Sequence, residues 1–160
     1  MHPLDEQQRT DAQGDRGPGG RSRGLGGGLH AVVFQHPHPG NFAAAAIRDL
    51  KNDGLNPGHY DMRFAKPLDE EIMHEVCRRY EKIITVEDGA VEGGFGSAIL
   101  EFMALQNYKN EIRILGIPDR IVEHGTLKEL LYECGYDTPA IINAVRQMMK
   151  DKVTVNQLLE

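Results

Sequence analysis

The stretch K-I-I-T-V-E-D-G-A-V-E-G-G-F-G-S-A-I-L-E-F, residues 82–102, decides the fold. Residues 82–87 form a largely β-branched, apolar run that is typical of a strand buried on both faces. From about Gly94 to Leu105, apolar residues recur at the spacing of one helix face. A glycine-rich turn joins the two segments. The stretch therefore predicts a strand–turn–helix unit, which is the building block of a parallel α/β sheet.

Strands and helices alternate in the same way along the rest of the chain. Strands are predicted at 29–34, 59–64, 82–87 and 111–115, and helices at 41–50, 69–80, 94–105, 127–134 and 138–148. Asp69 is a predicted N-cap, and Thr126 with Glu129 has the spacing of a capping box. Strands alternating with helices through short loops predict a three-layer α/β/α domain with a mostly parallel sheet of about five strands.

The glycine-rich turn lacks the motifs that bind nucleotides. Gly96-Ser97 has no lysine before it, as a P-loop requires, and Gly94-Phe-Gly96 has no third glycine at the dinucleotide spacing. Three carboxylates lie near the positive end of the following helix and oppose anion binding there: Glu87, Asp88 and Glu92. Two interpretations remain, close packing of the helix against the sheet or a neighbouring subunit, and a less favoured anion site.

Two other polar groupings have spacings that chemistry could use. In G-I-P-D-R-I-V-E-H-G, the neighbours Glu123 and His124 could do acid–base work, but a structural network at a domain or dimer boundary is the favoured interpretation. His74 and Cys77 are one helical turn apart, yet no second pair completes a metal site. The candidate structural or interface residues are Glu87, Asp88, Gly89, Gly93, Gly94, Gly96, Asp119, Arg120, Glu123 and His124.

Composition excludes several classes of function. The formal net charge of −6 gives no electrostatic attraction to DNA or RNA, so no nucleic-acid partner is expected. Apolar runs are too short for a membrane span, and no secretory signal follows Met1. The two cysteines, far apart in sequence, are expected to be reduced. These observations predict a cytoplasmic protein with no membrane partner.

The first forty residues differ in composition from the remainder. Lys, Ile, Asn and Tyr are absent from residues 1–40, whereas residues 41–160 contain 30 of them. We expect residues 1–28 to be a disordered and non-native segment, residues 29–150 to form the domain, and residues 151–160 to be a C-terminal tail. The missing residue types use AT-rich codons, so a misassigned start or a change of reading frame is a hypothesis that the upstream DNA would test.

Four segments together resemble one family. They are D-M-R-F-A-K-P-L-D (61–69), the stretch at 82–102, L-G-I-P-D-R-I-V-E-H-G (115–125) and L-Y-E-C-G-Y-D (131–137). From about Gly40 to Lys150 the chain resembles the C-terminal domain of 1-deoxy-D-xylulose-5-phosphate synthases, in the transketolase superfamily. The resemblance covers about 110 residues, nearly all of one domain and about the last sixth of such an enzyme.

The resemblance implies an enzyme that depends on thiamine diphosphate and Mg²⁺. Such synthases are homodimers that make 1-deoxy-D-xylulose 5-phosphate, a transferase reaction, from pyruvate and glyceraldehyde 3-phosphate, for isoprenoid and thiamine synthesis. Their catalytic residues lie in the two domains before this one. The family's diphosphate motif begins G-D-G and reaches an Asn further on; here Glu87-Asp88-Gly89 departs at the first residue and residues 114–119 hold no Asn. The resemblance therefore implies no catalytic, cofactor-binding or metal-binding residue in this chain.

The resemblance also implies the partners of this chain, which would be the missing N-terminal domains and a second subunit. This chain alone would be inactive. Two alternatives stay open: the corresponding domain of another thiamine-diphosphate enzyme, such as a 2-oxo acid dehydrogenase β subunit, and a stand-alone, non-catalytic interaction module.

Overall fold

The structure is a computed structural model that describes residues 30–35 and 39–157. This part of the chain forms four strands and five helices. The strands are β1 (His30–Gln35), β2 (Gly58–Met62), β3 (Lys82–Ala90) and β4 (Glu111–Ile117). The helices are α1 (Pro39–Asn52), α2 (Glu70–Arg79), α3 (Phe95–Leu105), α4 (Leu127–Cys134) and α5 (Thr138–Gln157).

The four strands make one parallel sheet in the order β2-β1-β3-β4. In its register, Ala31 lies opposite Gly58 on one side and Ile83 on the other, and Ile83 lies opposite Ile112. The predicted α/β fold with a parallel sheet is confirmed. The described residues contribute four strands to it, where the sequence predicted about five.

Alternate residues of β3 pack into two separate hydrophobic cores, one on each face of the sheet. Ile84 and Val86 pack with α1, α4 and α5, whereas Ile83 packs with α2 and α3. All three side chains are completely buried, and burial of one side chain of this size contributes about 1.5–3 kcal/mol. The double burial explains why residues 82–87 show no polar face, and it produces the three layers.

The predicted helix caps are both present. The Asp69 carboxylate accepts the Ile72 N–H at 3.1 Å and begins α2. Thr126 and Glu129 form the complete capping box at the start of α4, and Gly135 ends that helix in the left-handed conformation. The helix boundaries therefore follow signals that lie within a few residues of each end.

A buried lysine joins the sheet to the last helix. The Lys82 side chain is 4% exposed; its ammonium pairs with Glu111 at 3.0 Å and donates to the Met148 carbonyl of α5. This helix continues to Gln157, past the domain boundary predicted at residue 150. The predicted segment 1–28 lies outside the described residues. Within the described part, no helix combines the length and apolar character needed to cross a bilayer.

Candidate functional site

The turn after β3 begins with an irregularity in strand pairing. Val86 lies opposite Leu115, but the next paired residue of β3 is Ala90, opposite Ile117. The bulge places three residues, 87–89, opposite the single β4 residue Gly116, and bulges of this kind redirect the strand at its end. Glu87 stays in the alternation of β3, on the face of Ile83, and is 1% exposed. A carboxylate is thereby placed beneath the start of α3.

The Glu87 carboxylate holds the N-terminus of α3. The Phe95 N–H donates to Glu87 Oε2 at 2.6 Å, and the Gly96 N–H donates to Oε1 at 3.0 Å. The N-cap residue, Gly94, has no side chain to do this. Backbone N–H groups at a helix start attract anions. Here the anion is supplied by the strand of the same chain.

Two glycines make room for that carboxylate and for the sheet. A Cβ on Gly94 would overlap Glu87 Oε2 and the Ala90 carbonyl oxygen. A Cβ on Gly96 would lie 2.6 Å from Ile114 Cγ2 and 2.8 Å from Thr85 Oγ1. These distances are shorter than any carbon contact allows, so both positions require glycine. The contacts pack α3 against the sheet of this chain.

Thr85 was not singled out by the sequence. Its hydroxyl is completely buried beneath Gly96, and among the described residues it has no hydrogen-bond partner. A threonine in an apolar strand has no sequence signal that distinguishes a paired hydroxyl from an unpaired one. The hydroxyl is a local cost to folding, because a buried polar group without a partner is destabilising.

The other residues of the turn are exposed or half-buried, and two of them make hydrogen bonds to other parts of the chain. Asp88 is exposed, and its carboxylate accepts a hydrogen bond of 2.8 Å from the hydroxyl of buried Tyr136. Burial and this hydrogen bond raise the pKa of Tyr136. Gly89 is half-buried at the bulge. Gly93 has a positive φ of 74°, and its N–H donates to Ser97 Oγ at 3.0 Å. Asp88 therefore ties the end of β3 to the segment before α5.

The second predicted polar cluster is spread over an exposed loop. Arg120 turns away from its sequence neighbours and pairs with Glu133 of α4 at 2.9 Å. Asp119, Glu123 and His124 are exposed, and within the described residues no side-chain hydrogen bond or ion pair is recorded for them. The loop therefore does not bring a carboxylate and His124 together as an acid–base pair.

His74 and Cys77 are not arranged as ligands. His74 Nδ1 shares a hydrogen bond of 2.8 Å with the Tyr108 hydroxyl, and its ring lies edge-on to Phe102. Burial raises the pKa of the Cys77 thiol to about 11, so the thiol is protonated at neutral pH. In the described part of the chain, no group of three or more His, Cys, Asp or Glu side chains could hold a metal ion.

The turn does not fit the diphosphate of a thiamine cofactor. The two N–H groups that would bind a phosphate already donate to Glu87. Exposed Asp88 and Glu92 add negative charge at the same place, which disfavours a polyanion. The geometry therefore matches a strand-to-helix joint.

Comparison with known proteins matches this domain to one family. The model of the transketolase C-terminal domain family matches residues 39–141. In the curated set, a 1-deoxy-D-xylulose-5-phosphate synthase from Cytophaga hutchinsonii is 49% identical over 129 residues, which is 81% of this chain and 20% of that protein. The synthase of Bacteroides fragilis is 44% identical over 80% of this chain and 20% of its own length. The chain thus spans about a fifth of the length of these relatives.

Solved structures show the same fold. A chain described as "Split gene transketolase, inactive beta4 tetramer" superposes with a TM-score of 0.70 at 26% identity, covering 78% of this chain and 40% of that one. The transketolase of Campylobacter jejuni gives a TM-score of 0.52 at 13% identity over 77% of this chain and 17% of its own, a likeness of fold alone. The resemblance seen in the sequence is confirmed, and the chain belongs to the transketolase C-terminal domain family, in the branch represented by 1-deoxy-D-xylulose-5-phosphate synthases.

Proposed function

We propose that this chain is the C-terminal, non-catalytic domain of a 1-deoxy-D-xylulose-5-phosphate synthase. The whole enzyme would transfer the two-carbon unit of pyruvate to glyceraldehyde 3-phosphate, and its product would supply isoprenoid and thiamine synthesis. The identity of 49% to a named synthase supports this enzyme over a 2-oxo acid dehydrogenase β subunit.

One observation supports a structural role for this domain. The helix start that could bind a phosphate is filled by the Glu87 side chain, which accepts hydrogen bonds from both N–H groups and is 1% exposed. Thiamine diphosphate and Mg²⁺ would therefore bind to the preceding domains, and no step of the reaction is assigned to residues of this chain.

The partners we propose are the preceding domains of the same enzyme and a second subunit, in the cytoplasm and without nucleic acid or membrane. The relatives are about five times as long as the matched region, which supports the missing domains. The structural relative described as "Split gene transketolase, inactive beta4 tetramer" supports the idea that one part of a split enzyme of this kind associates without acting.

Complementation in trans tests this function. The synthase of Cytophaga hutchinsonii would be truncated before the region that matches this chain, and product formation would be measured with both cofactors present. We expect no activity from this chain alone and a gain of activity, at least about tenfold, when it is added to the truncated enzyme, because the docked domain restores the packing of the catalytic part.

Calorimetry with thiamine diphosphate can give a result that contradicts the proposal. Tight, Mg²⁺-dependent binding to this chain alone in calorimetry would contradict the assignment of the cofactor to other domains. A folded chain that neither binds the cofactor nor restores activity would favour the stand-alone interaction module instead.

A further inference from the structure

A cleft of about 670 Å³ lies at the amino ends of β3 and β4. Its walls are residues 77–82, where α2 ends and β3 begins, and residues 107–111, which join α3 to β4. Volumes of this order are typical of sites that bind small molecules. Because the glycine-rich turn lies at the carboxyl end of β3, the cleft is a separate place on the molecule with a lining of its own.

The cleft carries an excess of positive charge in a chain that is acidic as a whole. The chain has 18 Lys and Arg against 24 Asp and Glu. The lining reverses this ratio, with two carboxylates, Glu81 and Glu111, and four cationic side chains: Arg78, Arg79, Lys82 and Lys109. A concave surface with a surplus of one charge attracts ligands of the opposite charge. The cleft is therefore suited to an anion.

Two of the four cations already have carboxylate partners. The Lys82 ammonium pairs with Glu111 at 3.0 Å, and the Arg79 guanidinium pairs with Glu75 at 3.7 Å. These pairs neutralise most of the charge of Lys82 and Arg79. An anion in the cleft would therefore be bound mainly by the other two cations.

Arg78 and Lys109 are exposed, and no hydrogen bond or ion pair is recorded for either side chain among the residues that the structure describes. Arg78 lies in the last turn of α2, where the helix dipole favours a cation. Lys109 lies four residues beyond the end of α3 at Leu105, past the reach of that effect. The helix dipole thus explains one unpaired cation and leaves the other unexplained.

Asn110 holds the two walls of the cleft together. Its carboxamide donates to the carbonyl of Cys77 at 2.8 Å and to the carbonyl of Tyr80. The segment that carries Lys109 is thereby fastened to the end of α2 that carries Arg78. A site whose walls are fixed before binding loses less entropy when a ligand arrives.

We propose that this cleft binds the phosphate group of a small phosphorylated metabolite, with Arg78 and Lys109 as the cations that hold it. A phosphate monoester carries about 1.5–2 negative charges at neutral pH, which matches the two unpaired cations. The planar guanidinium of Arg78 can donate two parallel hydrogen bonds to phosphate oxygens, and the ammonium of Lys109 adds a point charge. The remaining volume takes the organic part of the ligand, next to the side chains of Asn107 and Tyr108. Binding here needs no other domain of the synthase, so the inference goes beyond the proposed function.

Nuclear magnetic resonance of the full 160-residue chain, titrated with inorganic phosphate and separately with ribose 5-phosphate at constant ionic strength, tests the site. We expect saturable shifts of the backbone amides of residues 77–82 and 107–111. Ribose 5-phosphate should bind more tightly than inorganic phosphate, because its sugar fills the rest of the cleft. Arg78→Gln and Lys109→Gln should each raise the dissociation constant at least about tenfold, because each removes a hydrogen bond between opposite charges.

Arg48→Gln and Lys128→Gln are the matched controls, since both side chains are exposed on other helices and lie outside the cleft. They should leave the dissociation constant unchanged, and circular dichroism first confirms that all four variants are folded. The absence of saturable shifts at millimolar concentrations of both probes would overturn the proposal. Equal weakening by the cleft and control variants would also overturn it, because the phosphate would then respond only to the net charge of the chain. Weaker binding of ribose 5-phosphate than of inorganic phosphate would overturn the assignment to a metabolite.

Discussion

At the N-termini of helices α3 and α4, a glutamate side chain accepts hydrogen bonds from backbone N–H groups. The two glutamates come from different parts of the chain. At α4, the Thr126 N–H donates to Glu129 Oε2 at 2.8 Å, so both partners lie within one turn and at the surface. At α3, the partner is Glu87, eight and nine residues upstream on a strand and buried. One cap is local and in contact with water. The other joins two elements and excludes water.

The difference determines what each cap stabilises. Water can replace the lost hydrogen bonds of an exposed cap, so the capping box mainly fixes where α4 begins. Water has no access to Glu87, so its loss would leave buried N–H groups without partners. The long-range cap therefore secures the position of α3 on the sheet, and the local one secures a helix boundary.

The largest effect is expected from Glu87→Gln. The amide keeps the size of the side chain but offers one acceptor where two N–H groups need one each, and it turns an N–H towards a backbone N–H. We expect a loss of about 2 kcal/mol in the free energy of unfolding. Chemical denaturation of the purified chain measures it.

Glu92→Gln is the matched control, since Glu92 is an exposed carboxylate in the same turn. It should change stability little. Equal losses for the two variants would mean that the carboxylate of Glu87 acts through the general charge of the turn, and the contrast between the two caps would fail.

A smaller effect of opposite sign is expected from Thr85→Val. The hydroxyl beside the long-range cap has no recorded partner, so its removal should raise stability by about 1 kcal/mol. Thr138→Val serves as comparison, because the Thr138 hydroxyl donates to the Phe42 carbonyl at 3.3 Å and its loss should destabilise. A destabilised Thr85→Val variant would show that the Thr85 hydroxyl is paired in solution.

The smallest effect on stability is expected from a change in the capping box of α4, Glu129→Gln, and this effect should depend on pH. Hydrogen bonds from the Thr126 hydroxyl and N–H lower the pKa of Glu129 below its ordinary value of 4.5. A carboxylate with a lowered folded-state pKa contributes stability above its unfolded pKa and loses it as pH falls through the folded value. Glu129→Gln should therefore be slightly less stable than wild type at neutral pH, with the difference vanishing in acid. A difference independent of pH would contradict a role for the charge. Thermal melts at both pH values measure it.

The contrast between local and long-range contacts also separates what the sequence could and could not predict. The alternation of strands and helices, the N-cap Asp69 and the capping box at Thr126 follow from local pattern and are confirmed. The spacing of the glycine turn argues against a nucleotide motif, and the absence of nucleotide binding stays a prediction. The role of Gly94 and Gly96 as space for a carboxylate and an isoleucine depends on which strand lies beneath the helix.

Long-range polar partners were not predictable. The sequence predicts that Glu87 lies near the positive end of α3, but its burial follows only from the alternation of β3 and the packing of α3 above it. The sequence predicts a polar cluster of Arg120 with its sequence neighbours, whereas Arg120 pairs with Glu133, thirteen residues later on α4. The interface role predicted for the ten candidate residues stays a prediction.

The bond between Tyr136 and Asp88 also makes part of the protein optically distinct. The chain has no tryptophan and five tyrosines, so its near-ultraviolet spectrum is dominated by tyrosine. Burial and hydrogen bonding raise the pKa of Tyr136 and of Tyr60 above the ordinary phenol value of 10.0. These two phenols should therefore show the absorbance of tyrosinate only at a higher pH than an ordinary phenol. Tyr136 is thus a natural absorbance probe for the loss of its hydrogen bond to Asp88 at the end of β3.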